Sequence, residues 1–411
     1  MNRPGEANRP SYTNQPGGMD RRIRVATIVS GFAIEGPSGG LGRSGIALSR
    51  AFNREQFEPI ICALWDYGTT QEAERIKNLN EEGIEAFSAA RWVESAPYRS
   101  FWRSFFAMQK RLAGARLDIL HSHSEFGDVA AILLKRRIGA RKVARTVHNQ
   151  EWVKRPLRRI YLTRLLYPLA FDIEIGVSRA LVDQLNGRLI AKRLNRFAQV
   201  APPAYDLTRF LEVKEDSNRL KQSLNIPQDA PVIGSVGRLM KQKGYSDFIR
   251  AAAIVNRHHP EAYFLLVGEG ELHQDLADLT RELGITGRVV FTGMRSDVEA
   301  FYQTMDMFVS TSLWEGLPTV IIESMASHVP VIATNIMGSS ELVENEVNGL
   351  LVPPQDPAAT ARAILELLEN PEKRLVLARR ADETPGKYAI EAVAVRYENI
   401  YRNILASNMK G

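Results

Sequence analysis

Residues 306–326 read Asp306-Met-Phe-Val-Ser-Thr-Ser-Leu-Trp-Glu-Gly-Leu-Pro-Thr-Val-Ile-Ile-Glu-Ser-Met-Ala326. An apolar run at 307–309 ends in Ser310-Thr-Ser312. A turn holding Gly316 follows, then Pro318, which suits a first helical turn, and a second apolar run comes at 331–333. Strand, helix and strand in that order predict two parallel strands joined by a helical crossover. The free N–H groups of such a helix start point into the crevice beyond the strand ends, where anions bind.

The same alternation runs through the chain twice. Strands are expected at 23–29, 58–64, 119–121, 142–148 and 173–177, then at 232–236, 262–267, 289–291, 307–309 and 331–333. Amphipathic stretches between them predict an α/β chain of two doubly wound, Rossmann-like domains. The change falls near Ala201-Pro-Pro-Ala-Tyr-Asp206, where two prolines favour an extended linker. The expected organisation is a disordered tail at 1–20, an N-terminal domain at 21–204, a C-terminal domain at 205–388, and a closing helix within 389–411 that crosses back to the first domain.

Composition narrows the classes. A chain of 411 residues, 45% hydrophobic and 24% charged, is too long for one typical core. The single cysteine, Cys62, lies in an apolar run and excludes both a disulfide scaffold and a cysteine zinc site. The first twenty residues carry no apolar signal region and no stretch is long and apolar enough to span a bilayer, so a cytoplasmic protein is expected. Net charge is +6, divided unevenly: +13 over residues 1–200 and −7 over the remainder. A basic first half suggests an anionic surface or substrate.

Two loops carry the candidate chemistry of the second half. Glu315 precedes the Pro318 helix and Glu323 lies inside it, so two carboxylates can reach different hydroxyls of one ligand. Upstream, Gly234-Ser-Val-Gly-Arg-Leu-Met-Lys-Gln-Lys-Gly244 places Arg238 and Lys243 just beyond a strand end, where they can neutralise a diphosphate.

Gly237-Arg-Leu, Lys243-Gly244, Val267-Gly-Glu-Gly270, Phe291-Thr-Gly-Met294, Asp306 to Ser312, Glu315 to Glu323 and Asn348-Gly-Leu-Leu-Val-Pro-Pro354 resemble, in order, the retaining glycosyltransferases of the GT-B fold, family 4. The first half resembles them more weakly, through Ser38-Gly-Gly40, Asp118-Ile-Leu-His-Ser-His123, Thr146-Val-His-Asn149 and Val177-Ser178. The resemblance implies two Rossmann-like domains facing across a cleft, and transfer of a hexose from a UDP- or GDP-sugar to a glycan or glycolipid hydroxyl with anomeric retention. It implies that Arg238 and Lys243 hold the diphosphate, Glu323 the ribose and Glu315 the sugar ring, with His123 facing the reacting sugar. Gly39, Gly40, Gly237, Gly268, Met294, Gly316, Leu317, Pro318 and Thr319 complete the implied donor site. His148 and Asn149 are the implied acceptor side.

No Asp-x-Asp occurs, so the cationic pair is expected to replace a divalent ion, with no cofactor and no metal ligands. His121, His123 and His148 lack a further set of ligands at metal spacing; His121 is expected to be a core histidine bonded to backbone. Gly40-Leu-Gly-Arg-Ser-Gly45 fits a dinucleotide fingerprint, but the loop 30–39 separates it from its strand. The rival readings are a GT-B sugar-nucleotide epimerase and a non-catalytic nucleotide-sugar-binding module.

Two basic and aromatic segments, 91–108 and 154–164, remain. Phe101, Phe105, Met108 and Leu112 share a helical face, with Trp102 and Phe106 beside it. Arg99 and Arg103 on that helix are further acceptor-side candidates. Either segment alone reads as a helix packed on its own sheet with a solvated basic side; together with the basic half they suggest docking on an anionic membrane surface and a lipid-linked sugar acceptor, and no basic motif for nucleic acid accompanies them. At 328 and 338–341 the family commonly has Gly and Gly-Gly-x-Pro-Glu, whereas this chain has His328 and Gly-Ser-Ser-Glu341.

Overall fold

The apolar runs become the strands of two parallel sheets. A computed structural model describes residues 21–32, 39–148, 160–211 and 217–407, with side chains of 39–42 and 160 left aside. The first sheet holds β1 (Ile23–Val29), β2 (Phe57–Asp66), β3 (Glu85–Arg91), β4 (Ile119–Ser122), β5 (Lys142–Val147), β6 (Ile173–Gly176) and β7 (Gln199–Val200), in the order β3-β2-β1-β4-β5-β6-β7. The second holds β8 (Val232–Val236), β9 (Tyr263–Val267), β10 (Val289–Phe291), β11 (Met307–Ser310), β12 (Val331–Thr334) and β13 (Leu350–Val352), in the order β10-β9-β8-β11-β12-β13.

Every registered pair is parallel, and most strand residues are buried, because helices cover both faces. In both sheets the order reverses beside the first strand, between β1 and β4 and between β8 and β11. Loops on either side of such a reversal diverge and leave a crevice at the carboxyl edge, where ligands of doubly wound folds bind.

The closing helix crosses back as expected. Ile390–Ala406 buries Val393, Tyr397, Ile400, Tyr401 and Ile404 in one apolar cluster with Val25, Phe57, Ile119 and Ala144 of the first sheet. Glu398 Oε1 accepts the Asn53 backbone N–H at 2.7 Å, tying the helix to the loop before β2.

Three strands escaped the sequence reading. β3, Glu85-Ala-Phe-Ser-Ala-Ala-Arg91, is a half-exposed edge strand of small residues with little apolar signal. β7 has two residues, and β13 has three, inside the Asn348–Pro354 motif. The Pro97–Leu112 helix buries Phe101, Phe105, Met108 and Leu112 as expected, but Trp102 and Phe106 stay 48% and 57% exposed. Most of the basic segment at 154–164, with Asn149, lies outside the described residues. So does the stretch 1–20.

Candidate functional site

Loop after loop converges on the crevice of the second sheet. β8 ends at Val236, and Gly237 follows with φ +146°. A Cβ on Gly268, just past β9, would lie 2.1 Å from the Gly237 carbonyl oxygen, so only glycine lets these two loops touch. A 3-10 turn, Lys241–Lys243, then brings Gly244, φ +62°, against the Thr311 carbonyl before the helix Tyr245–His258 begins. That contact joins the loop after β8 to the loop after β11.

The join sets Lys243 beside Glu315. Lys243 Nζ donates to Glu315 Oε1 at 2.7 Å, and Ser312 Oγ donates to the same oxygen at 3.1 Å. Gln242 Nε2 donates to Glu315 Oε2 at 3.0 Å and to the Trp314 carbonyl at 2.9 Å. Glu315 is buried, and both its oxygens are held in place. Arg238, by contrast, is exposed and has no bonded partner among the described residues. The two cations read as one diphosphate clamp therefore sit in different environments.

Pro318 precedes the helix rather than standing in its first turn: it is the extended N-cap residue, and Thr319–Ala326 is helical. No side chain caps this helix. Glu323, on its second turn, accepts the Tyr302 hydroxyl at 3.0 Å. Burial raises the Glu323 carboxyl above its ordinary range, opposed by that hydrogen bond and by Arg209, Arg43 and Lys243. Gly316 and Leu317 are buried in the turn, and Thr319 bonds the Tyr205 hydroxyl. Met294 stands 62% exposed after Gly293, at the rim near Glu269, whose carboxylate is taken by His273 and the Gly270 N–H.

Across from it, the crevice of the first sheet is lined by histidines. His121 and His123 lie on one side of β4, with ring centroids 4.2 Å apart, as strand alternation requires. His121 is a core residue, but its partners are side chains and not backbone: Nδ1 meets the Tyr401 hydroxyl at 2.6 Å and Nε2 the Thr146 hydroxyl at 2.8 Å. His123 Nδ1 meets His148 Nε2 at 3.3 Å, while His123 Nε2 is buried and bonds nothing among the described residues.

Burial lowers all three imidazoles, His121 to about 3, His148 to about 4 and His123 well below its ordinary value. All three are neutral at physiological pH. Among the described residues no three His, Cys, Asp or Glu are arranged to hold a metal. Gly39 and Gly40 open the Gly39–Ala51 helix, whose Gly45 packs on the His123 ring; a Cβ there would meet Cδ2 at 3.3 Å.

Arg99 and Arg103 are exposed on the Pro97–Leu112 helix, whose Phe101 packs on Phe126, three residues beyond His123, with ring centroids 5.9 Å apart. The start of that helix meets the end of β3, where the Val93 N–H donates to Ser100 Oγ.

Gln242, Ser312, Tyr302, Tyr205, Tyr397 and Tyr401 were not read from the sequence. Gln242 and Ser312 lie inside the two loops that carry the sequence motifs. Tyr205 lies in the proline linker, Tyr302 on the helix just before β11, and Tyr397 and Tyr401 on the closing helix; none carries a chemical signal of its own.

His328 takes the left-handed conformation expected of a glycine there, φ +57°, with Nδ1 on Asp382 at 2.7 Å.

Residues 216–384 match the family described as glycosyl transferases group 1, and residues 38–209 match glycosyltransferase family 4. The lipopolysaccharide core biosynthesis glycosyltransferase LpsE of Rhizobium meliloti is 36% identical over 188 residues, 46% of this chain and 53% of that protein. The Escherichia coli UDP-Gal:alpha-D-GlcNAc-diphosphoundecaprenol alpha-1,3-galactosyltransferase is 26% identical over 333 residues, 77% of this chain and 81% of that protein. Among solved structures, Anabaena Alr3699/HepE in complex with UDP-glucose superposes with a TM-score of 0.76 at 18% identity, covering 94% of this chain and 100% of that one. Sucrose-phosphate synthase of Thermosynechococcus elongatus gives 0.77 at 21% identity, with 94% and 100% covered. At those identities the likeness is one of fold.

Proposed function

Because this chain belongs to the group 1 glycosyltransferases of the GT-B fold, we propose that it moves a hexose from a UDP-sugar to a hydroxyl of a glycan or lipid-linked sugar, with retention and without a metal ion. The observation that carries the reading is the Lys243–Glu315 pair at the switch-point crevice, with Glu323 one helical stretch beyond. An ammonium has three N–H donors, so Lys243 can keep Glu315 in place and still offer two to a diphosphate. Arg238, exposed at the same edge, is free to turn toward that ligand.

Glu323, half-buried and held by Tyr302, suits the vicinal diol of a ribose; Glu315, fixed on both oxygens, suits hydroxyls of the transferred sugar. In the transfer the bond from the anomeric carbon to the diphosphate oxygen breaks as the bond to the acceptor oxygen forms, and the acceptor proton passes to the departing diphosphate oxygen. Retention requires acceptor and leaving group to share one face. Lys243 and Arg238 stabilise the charge that gathers on the diphosphate, the part a divalent ion would otherwise take. The neutral His123, with an unsatisfied Nε2, suits a hydrogen bond to the sugar from the opposite domain.

A uridine donor is favoured over guanosine by the UDP named in the Anabaena structures and in the Escherichia coli relative. A lipid-linked acceptor is supported by the diphosphoundecaprenol and lipopolysaccharide core in the names of the two relatives, and the exposed Trp102 and Phe106 beside Arg99 and Arg103 suit contact with an anionic cytoplasmic membrane face. No helix among the described residues is long and apolar enough to cross a membrane. A thermal-shift screen of UDP, GDP and their sugars, with EDTA present, tests the donor reading. Stabilisation by UDP-sugars alone supports it, and stabilisation by GDP-sugars alone overturns the choice of base.

A further inference from the structure

We propose that Glu341 is a positioning residue: supplied by the second domain, it caps a helix of the first and sets the angle at which donor and acceptor groups face each other. The helix Arg179–Asn186 follows β6, and its first N–H groups have no partner within the helix. Its own cap, Ser178 Oγ, takes the Leu181 N–H at a long 3.4 Å. The Arg179 N–H instead donates to Glu341 Oε2 at 2.7 Å, and the Ala180 N–H donates to the same carboxylate. An ionised carboxylate at this end of a helix forms short, charge-assisted bonds and complements the dipole.

The contact has an apolar base. Val177 and Leu181 of the first domain share a buried cluster with Leu342 and Val343, the residues that follow Glu341. The other end of the same loop leans on the donor turn: a Cβ on Gly338 would stand 2.9 Å from the Gly316 carbonyl oxygen and 3.0 Å from that of Glu315. One segment of a few residues thus touches the turn that carries Glu315 and the opposite domain.

It also sits beside the chain crossings, where an interdomain angle is set. Tyr388 lies within electrostatic reach of both Glu341 and Arg179, and the next residue, Ala389, bridges Tyr205 of the linker. A shift here moves His123 and His148 relative to Glu315 without altering either crevice. The catalytic consequence rests on the transfer reading above; the contact itself does not.

The test labels Glu74→Cys and Asp275→Cys, exposed on one helix of each domain, with spin probes and reads their distance distribution by pulsed EPR. Cys62 is fully buried and stays in place. In Glu341→Ala we expect a broadened or shifted distribution, unchanged UDP affinity, and a kcat lower by on the order of 10- to 100-fold, as misalignment remote from the chemistry produces. Glu341→Gln, which keeps an accepting oxygen, should fall between Ala and wild type in both readouts. An unchanged distribution in both variants overturns the proposal, whatever the activity does. UDP affinity falling in step with kcat at constant distance would place Glu341 in the donor site and likewise overturn it. Absence of transfer by the unmodified protein would sink the transfer reading and leave the distance measurement to decide the positioning role.

Discussion

Lys243 and Glu315 hold each other at 2.7 Å across the reversal of the second sheet, one on the loop after β8 and one on the loop after β11. A cation read as a diphosphate ligand and a carboxylate read as a sugar ligand are therefore already a pair. Glu315→Gln should break that pair and free Lys243. We expect turnover to fall by on the order of 100-fold, since a group aimed at the reacting sugar is lost, while UDP binds as tightly as before or tighter. Steady-state rates and calorimetry check this together, and weaker UDP binding in the variant would contradict it.

Glu323 should act on the nucleotide instead. Glu323→Ala should weaken UDP and UDP-sugar alike, by roughly 10-fold or more, the loss expected for a charge-assisted hydrogen bond. Because burial raises this carboxyl, protonation begins above the ordinary carboxylate range. UDP affinity in the wild type should therefore drop as pH falls through that raised range, and Glu323→Gln should flatten the profile. A wild-type profile flat through mildly acidic pH would argue against the ribose role.

The three histidines make stability depend on pH. Each is depressed in the folded protein, so the unfolded chain binds protons that the native state refuses. Their contribution is present above the unfolded value near 6.5 and is lost as pH falls toward about 4 for His148 and about 3 for His121. Each refused proton is worth on the order of 1 kcal/mol per pH unit within that window. His148→Gln should make the melting temperature fall less steeply between neutral pH and the acid limit. Parallel curves for variant and wild type would show that His148 is not depressed.

Much of this was readable in the sequence, and what was not has physical reasons. Central strands are buried on both faces, so they stand out as apolar runs; β3 lies at an edge, half exposed, and its Ala and Ser carry no such signature. Glu315, Glu323, Lys243 and Arg238 were legible because each follows a recognisable strand end. That Lys243 would be paired with Glu315 was not, since the contact depends on Gly244 packing under Thr311. His121 was legible as a core residue, but its partner Tyr401 lies 280 residues away on the closing helix. Glu341 keeps the final Glu of a pattern from which residues 338–340 depart, and only the structure shows its carboxylate on the other domain.

The exposed aromatics of the Pro97–Leu112 helix make a separate claim. Replacing Arg99 and Arg103 with Ser should reduce sedimentation with anionic vesicles at low salt, at about 1 kcal/mol for each basic residue near the surface. Trp102→Ser should reduce it further at a salt concentration where charge is screened, because Trp102 is 48% exposed and apolar. Wild-type protein that ignores such vesicles would point to a soluble acceptor.

The most direct measurement is calorimetric titration of UDP into the wild type and Lys243→Ala, both in EDTA. Lys243 is the residue that links the diphosphate to the carboxylate reading the sugar, and it is asked to act without a metal. The account predicts that the wild type binds UDP in EDTA and that the variant binds at least about 10-fold more weakly, as loss of a charged hydrogen-bond donor entails. Equal affinities, or binding that appears only when a divalent cation is restored, would contradict it.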